Sequence, residues 1–144
     1  MVLQLANELI KKRNEASSRF NLTAGQMTFL VFLLRHQDRP EINQLDIEKE
    51  FGLTHQTVTG IISRLKSKGF VICSSSERDK RYKAIRPTSQ AFALSEELER
   101  LTQEADALMT QSMTEVEQSA FHDLLQVAMN HLMKPSEARN PNDR

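Results

Sequence analysis

The residues of this sequence best placed to do chemistry are charged, and they are concentrated. The stretch SERDKRYK, residues 76 to 83, puts six charged side chains into eight positions of a 144-residue chain whose formal net charge is zero. Within it, Asp79 and Arg81 stand two apart. Earlier in the chain, from His55, the pattern HQTVTGIISRLK offers a different chemistry of amide, hydroxyl and guanidinium groups. Gln hydrogen-bonds adenine edges, Thr methyls meet thymine methyls, and Arg grips guanine or phosphate.

The charge around these residues is segregated along the chain. Residues 1 to 53 hold seven Lys/Arg against seven Asp/Glu, residues 54 to 86 hold eight against two, and residues 87 to 144 hold four against ten. A basic block of +6 in a neutral chain points to a surface built for a polyanion. The alternatives are scattered solvated charge, or a hairpin whose charges only deter edge pairing.

Other chemistries find no constellation. No nucleophile stands beside a base, no phosphate loop is present, and His36, His55, His122 and His131 include no i, i+4 pair, so neither enzyme, metal site nor cofactor is expected. Cys73 has no cysteine partner in the chain and reads as a structural thiol of the strand that leads into the charged stretch. No N-terminal segment has the form of a secretory signal, and no apolar run approaches the roughly 20 residues needed to cross a bilayer. A cytoplasmic protein with no membrane partner is the expectation.

The elements that must carry these groups follow from periodicity and capping. Val2, Leu5, Leu9 and Ile10 recur at helical spacing in a first helix. Thr23 with Gln26 forms a capping box, and Leu22 with Met27 a hydrophobic staple, opening a central second helix that is apolar on most sides from Met27 to Leu34. Asn43 caps a short third helix, QLDIEKEF, stopped by Gly52. Thr54 then caps a fourth, closed by Gly69, on which Val58, Ile61, Ile62 and Leu65 form the buried side. Gln56, Gly60, Ser63 and Ser67 lie opposite, with Thr57, Thr59 and Arg64 on the flanks. Gly60 costs this helix about 1 kcal/mol relative to Ala. Close approach of a ligand backbone is one compensation.

A helix-turn-helix outline is common by itself. Here it is followed by FVICS, a polar SSERDK and RYKAI, a β-hairpin with a charged tip. The fold expected is mainly α with a small β-hairpin wing. Pro87 ends the returning strand, Thr88 or Ser89 starts one long helix to about Met113, and Thr114 with Glu117 boxes a last helix that Pro135 stops. The residues after it, 135–144, bury little and are expected to form a flexible tail.

With these elements in order, the sequence from about residue 3 to 133 resembles the MarR family of bacterial transcriptional regulators. GLTHQTVTGIISRLKSKGFV is similar to the family's helix-turn-helix core, and RDKRYKAIRPT to its wing signature, with Asp79, Arg81 and Thr88 at matching positions. Pro87 stands where a Leu is usual, Ala91 where a Gly often follows, and Glu48 where many members have a small residue. The resemblance implies a homodimer knit from 1–22 and 89–134 around a winged DNA-binding domain, 23–88. It implies double-stranded DNA with a pseudo-palindromic operator as partner, and repression modulated by a small, often aromatic, effector.

Under that reading Thr54, His55, Gln56, Thr57, Thr59, Gly60, Ser63 and Arg64 form the recognition helix's DNA surface. Arg78, Asp79, Lys80, Arg81 and Lys83 form the wing's, with Arg81 in the minor groove, oriented and preorganised by a salt bridge to Asp79, and Arg78, Lys80 and Lys83 on phosphates. Asn43 at a helix start is a further phosphate contact. Phe20, Phe29, Phe32, Met109 and Met113 are residues for an effector pocket or plain core. The alternative function is a winged-helix module that binds a protein, which the lack of aromatic and aliphatic anchors on the Gln/Thr/Gly/Ser face disfavours.

Overall fold

The computed structural model describes residues 1–133. The chain is ordered as α1 (Val2–Ser17), a 3₁₀ turn (Ser18–Phe20), α2 (Ala24–Arg35), α3 (Gln44–Phe51), α4 (His55–Ser67), β1 (Val71–Ser75), β2 (Lys83–Pro87), α5 (Ser89–Ala93), α6 (Ser95–Thr110) and α7 (Glu115–Met133). It divides into two compact units, Met1–Met109 and Thr110–Arg144, the latter described through residue 133. The expected tail, 135–144, lies outside the described residues, as does the stop at Pro135.

In the first unit, α2 is the hub. The capping box of Thr23 and Gln26 is present in both directions, and Asn14 Oδ1 of α1 accepts the Ala24 N–H at 2.7 Å, so the orphan amides of the helix start are answered from two elements. Met27, Leu30 and Leu33 of α2 are sealed from solvent together with Ile47, Val58, Leu65, Ile85 and Leu98. Each such side chain contributes on the order of 1.5–3 kcal/mol through burial. Phe51 stacks on Phe29 with ring centroids 4.8 Å apart and meets Phe32 edge-on at 5.4 Å, fastening the end of α3 to α2. Gly52 takes the left-handed conformation (φ 61°) that ends α3 and turns the chain into α4.

The strands pair antiparallel from Val71↔Pro87 to Ser75↔Lys83. A third backbone segment joins them, since the Ile85 N–H donates to Ile42 O at 2.8 Å and Asn43 bridges to Ala84. Lys68 at the end of α4 donates to Asn21 O and, at 2.8 Å, to Gln26 Oε1, joining α4 to the start of α2.

The long helix expected from Thr88 to about Met113 is two helices. Thr88 does cap the first, but the helix is interrupted at Leu94 and the second ends at Thr110. No glycine or proline marks the break. It falls between two fully buried residues, Ala91 and Leu98, and the Leu94 N–H turns back to Ala91 O, so packing on the core sets it. α6 is tied to the elements before it by ion pairs, Arg13 to Asp106, Arg19 to Glu97 and Arg35 to Glu99.

In the second unit, Thr114 and Glu117 form the capping box that opens α7. None of its residues is buried.

Candidate nucleic-acid interface

Three side chains, Val58, Ile62 and Leu65, anchor α4 in the core. Gln56, Thr57, Gly60, Ser63 and Arg64 are exposed on its other faces. Thr54 Oγ1 accepts the Thr57 N–H at 3.3 Å and lies 2.9 Å from Thr57 Oγ1, so the cap leaves the first amides of α4 at an open end of the helix. A Cβ placed on Gly60 would meet no atom within 4 Å. Its glycine answers to no contact among the described residues.

His55 and Thr59 are held from behind. Gln44, buried at the start of α3, donates through Nε2 to Thr59 Oγ1 at 2.6 Å and to His55 O at 3.2 Å. The Glu48 carboxylate lies 2.7 Å from His55 Nδ1, so Glu48, the unusual residue of α3, is the partner of the first residue of α4. These contacts fix α4 against α3.

On the wing, Asp79 and Arg81 form the pair that the resemblance implies. Arg81 Nη2 donates to Asp79 Oδ2 at 2.6 Å and Nε to Oδ1 at 3.0 Å, while the Arg81 backbone N–H donates to Asp79 Oδ1 at 3.0 Å. These bonds hold the Asp79 carboxyl down at about 2, the side-chain bond from Arg81 being the largest cause. The Arg81 side chain is nonetheless 81% exposed, with its guanidinium 5.8 Å from the Tyr82 ring centroid. A preorganised, outward cation results. Lys80 and Lys83 are exposed and have no ion-pair partner among the described residues, nor has Arg64.

Two expected phosphate contacts are differently employed. Asn43 is 1% exposed, its side chain accepting the Asp46 N–H while the Asp46 carboxylate accepts the Asn43 N–H at 2.9 Å. The anion at this helix start is the chain's own Asp46. Arg78 donates to that same carboxylate with both terminal nitrogens, at 3.0 and 3.2 Å, which draws it toward α3. Sequence reasoning missed Gln44, Glu41, Asp46 and Ser76 as residues that position this surface. Only Asp46 carried a local signal, as the third residue after the Asn43 cap.

Cys73 is half-buried against the core, and burial pushes its thiol above the usual value, the opposite of a reactive thiolate. Among the described residues no group of three or more His, Cys, Asp or Glu converges to hold a metal ion, and no helix is long and apolar enough to cross a membrane.

Fold and site together define a winged helix-turn-helix protein. Residues 20–81 match the model of the MarR family. The structure superposes on MepR of S. aureus solved with DNA (TM-score 0.82, 22% identity, 90% of this chain and 94% of that one). It also superposes on a MarR-family regulator of Listeria monocytogenes with a 26mer DNA (0.81, 21%, 92% and 86%), and on MarR of Oenococcus oeni (0.75, 24%, 90% and 96%). At these identities the likeness is one of fold. No curated protein sequence matches the chain.

Proposed function

We propose that the protein is a dimeric, sequence-specific DNA-binding transcriptional regulator of the cytoplasm, a repressor whose DNA affinity a small molecule modulates, and not an enzyme. The observation that carries this reading is the pairing of two exposed surfaces of complementary use. α4 presents Gln56, Thr57, Gly60, Ser63 and Arg64 for base edges and phosphate, and the wing presents an Arg81 already fixed by Asp79. The MepR and Listeria relatives, each solved with DNA, support the same use of the fold.

In this reading residues 23–88 are the reading head, and 1–22 with 89–134 the dimerisation region, residue 134 lying outside the described part. Exposed Leu3, Leu5 and Ile10 on α1 and exposed Leu124, Val127 and Leu132 on α7 support it, because a second copy would remove them from water. Two copies would set their recognition helices about one DNA turn apart.

A cavity of about 200 Å³ among α1, α2, α3 and α6 supports a small aromatic effector. Phe32, Phe51, Arg13, Arg35 and Thr28 line it, and Arg13 Nε is buried there with no hydrogen-bond partner. Of the pocket residues expected from sequence, only Phe32 lines it; Phe29 is core, and Phe20 packs on the core.

The test is selection from a randomised duplex pool, then a salt titration on the winner. An enriched pseudo-palindrome with half-sites about a turn apart, and affinity falling steeply with salt, is the expected result. Absence of enrichment would count against the reading. Arg81→Ala should lower specific affinity by about tenfold or more while leaving dimerisation unchanged.

A further inference from the structure

Beyond the ladder from Ser75↔Lys83 the wing's own backbone adds only the bonds of its turn, Ser76 N–H to Tyr82 O and Tyr82 N–H to Asp79 O, and a two-stranded ribbon this short is marginal in water by itself. Yet the tip is anchored, and from one short segment. Glu41, two residues ahead of the Asn43 cap, accepts the Ser76 hydroxyl and, at 2.9 Å, the Glu77 N–H. Asp46, three residues after the cap, accepts the bidentate Arg78 fork, and Arg78 Nη1 also reaches Glu41 O at 3.4 Å. Ser76, 1% exposed, in turn accepts the Asp79 N–H at 3.1 Å, so the anchoring passes on to the residue that holds Arg81.

We infer that Glu41 and Asp46 are positioning residues for the wing, with Arg78 as the strut that joins α3 to it rather than a contact to DNA. The inference rests on the DNA-binding reading for its consequence, and on these contacts for its mechanism. Because Gln44 of the same first turn of α3 holds His55 and Thr59, one turn of helix registers both the recognition helix and the wing. Their separation is then set inside each protomer.

Electrostatics agrees with the geometry. Two carboxylates under a basic hairpin weaken its attraction for a polyanion, so their place there calls for a compensating role. Both stay ionised. The Ser76 hydroxyl and then the Glu77 N–H hold Glu41 below the usual carboxylate range. Burial opposes ionisation of Asp46, but the bonds from Arg78 and the Asn43 N–H outweigh it and leave Asp46 lowered too. For Arg78 to reach a phosphate it would have to leave this pair.

The experiment compares Arg78→Ala, Arg78→Lys, Glu41→Gln and, as a phosphate-contact reference, Lys80→Ala. Each variant is first checked for an unchanged thermal midpoint. On the selected duplex, Arg78→Ala should lower affinity about fivefold, the scale of one well-formed ion pair, with the slope of log affinity against log salt unchanged. Lys80→Ala should reduce that slope by about one per protomer. Arg78→Lys should lose affinity as well, because an ammonium cannot replace the bidentate fork. A reduced slope for Arg78→Ala, or full affinity for Arg78→Lys, would make Arg78 a phosphate contact and overturn the strut.

A second readout needs no DNA. Amide hydrogen exchange at Glu77 and Asp79 should speed by about tenfold in Glu41→Gln and Arg78→Ala while the α4 amides hold their rates. Unchanged exchange at the wing would overturn the inference even if no duplex is ever selected, whereas accelerated exchange without DNA binding would uphold the anchor and remove the DNA reading alone.

Discussion

The second helix and the last are both rich in apolar residues, and they meet opposite fates. α2 buries eight of its twelve residues, whereas α7, with nineteen, buries none. The difference lies in how the apolar residues are arranged. In α2 they run nearly all round, as in a helix surrounded by its own chain. In α7 most fall into two adjoining columns, Val116, Ala120, Leu124, Val127 and Phe121, Leu125, Ala128, Leu132, with Met129 and Met133 beside them and the rest of the helix polar. Leu124 and Leu132 are 69% and 82% exposed. Such a stripe fits a surface that the described residues do not supply, which is where the proposed dimer places it.

Breaking α2 should have the largest effect. Leu30→Ala should destabilise the protein by about 2–5 kcal/mol in chemical denaturation, through lost burial and the cavity left behind. Introducing charge on α7 sharpens the contrast, because Leu124→Glu with Leu132→Glu should raise the dimer dissociation constant by about a hundredfold or more, read by sedimentation. Equal destabilisation at every protein concentration would instead mean that α7 is stabilised within one chain. A smaller loss is expected at its start, where Thr114→Ala should cost α7 about 1 kcal/mol and speed amide exchange in its first turn.

The exposed face of α4 is open like α7 but polar, and there the sign should reverse. Gly60→Ala meets no atom, so it should stabilise the free protein by up to about 1 kcal/mol through helix propensity, while weakening binding to the selected duplex. The least effect concerns acid. Asp79 titrates at about 2 in the folded protein against an ordinary 3.8, so whatever it contributes is complete above pH 3.8 and is lost as pH falls through about 2. Carboxyl NMR of Asp79 should therefore show an ionised wing pair throughout pH 4 to 7.

How much of this was legible in the sequence depended on how far each interaction reaches along the chain. Caps and boxes span three residues, and those at Thr23, Asn43, Thr54, Thr88 and Thr114 all form as read. Asp79 and Arg81, two apart, were marked by the wing signature that the sequence resembles. Arg78 and Asp46 are 32 residues apart, and Glu41 and Ser76 are 35 apart. A residue that looks like one more cation of a basic cluster was therefore already spoken for by a distant carboxylate. The break at Leu94 escaped for a related reason, since it is imposed by what Ala91 and Leu98 pack against and not by the residue itself.

That break has a mechanical side. Leu94 keeps the hydrogen-bond ladder nearly intact, its N–H bonded to Ala91 O and its carbonyl accepting the Leu98 N–H, so the chain bends there without exposing unpaired backbone. Beyond it, α6 runs sixteen residues, about 24 Å of helix. A swing of about 10° at this one joint would carry the far end of the arm through about 4 Å, more than half a helical pitch. Leu98, Leu101 and Ala105, buried along the arm, and the ion pairs of Glu97, Glu99 and Asp106 to Arg19, Arg35 and Arg13 hold the joint at its angle.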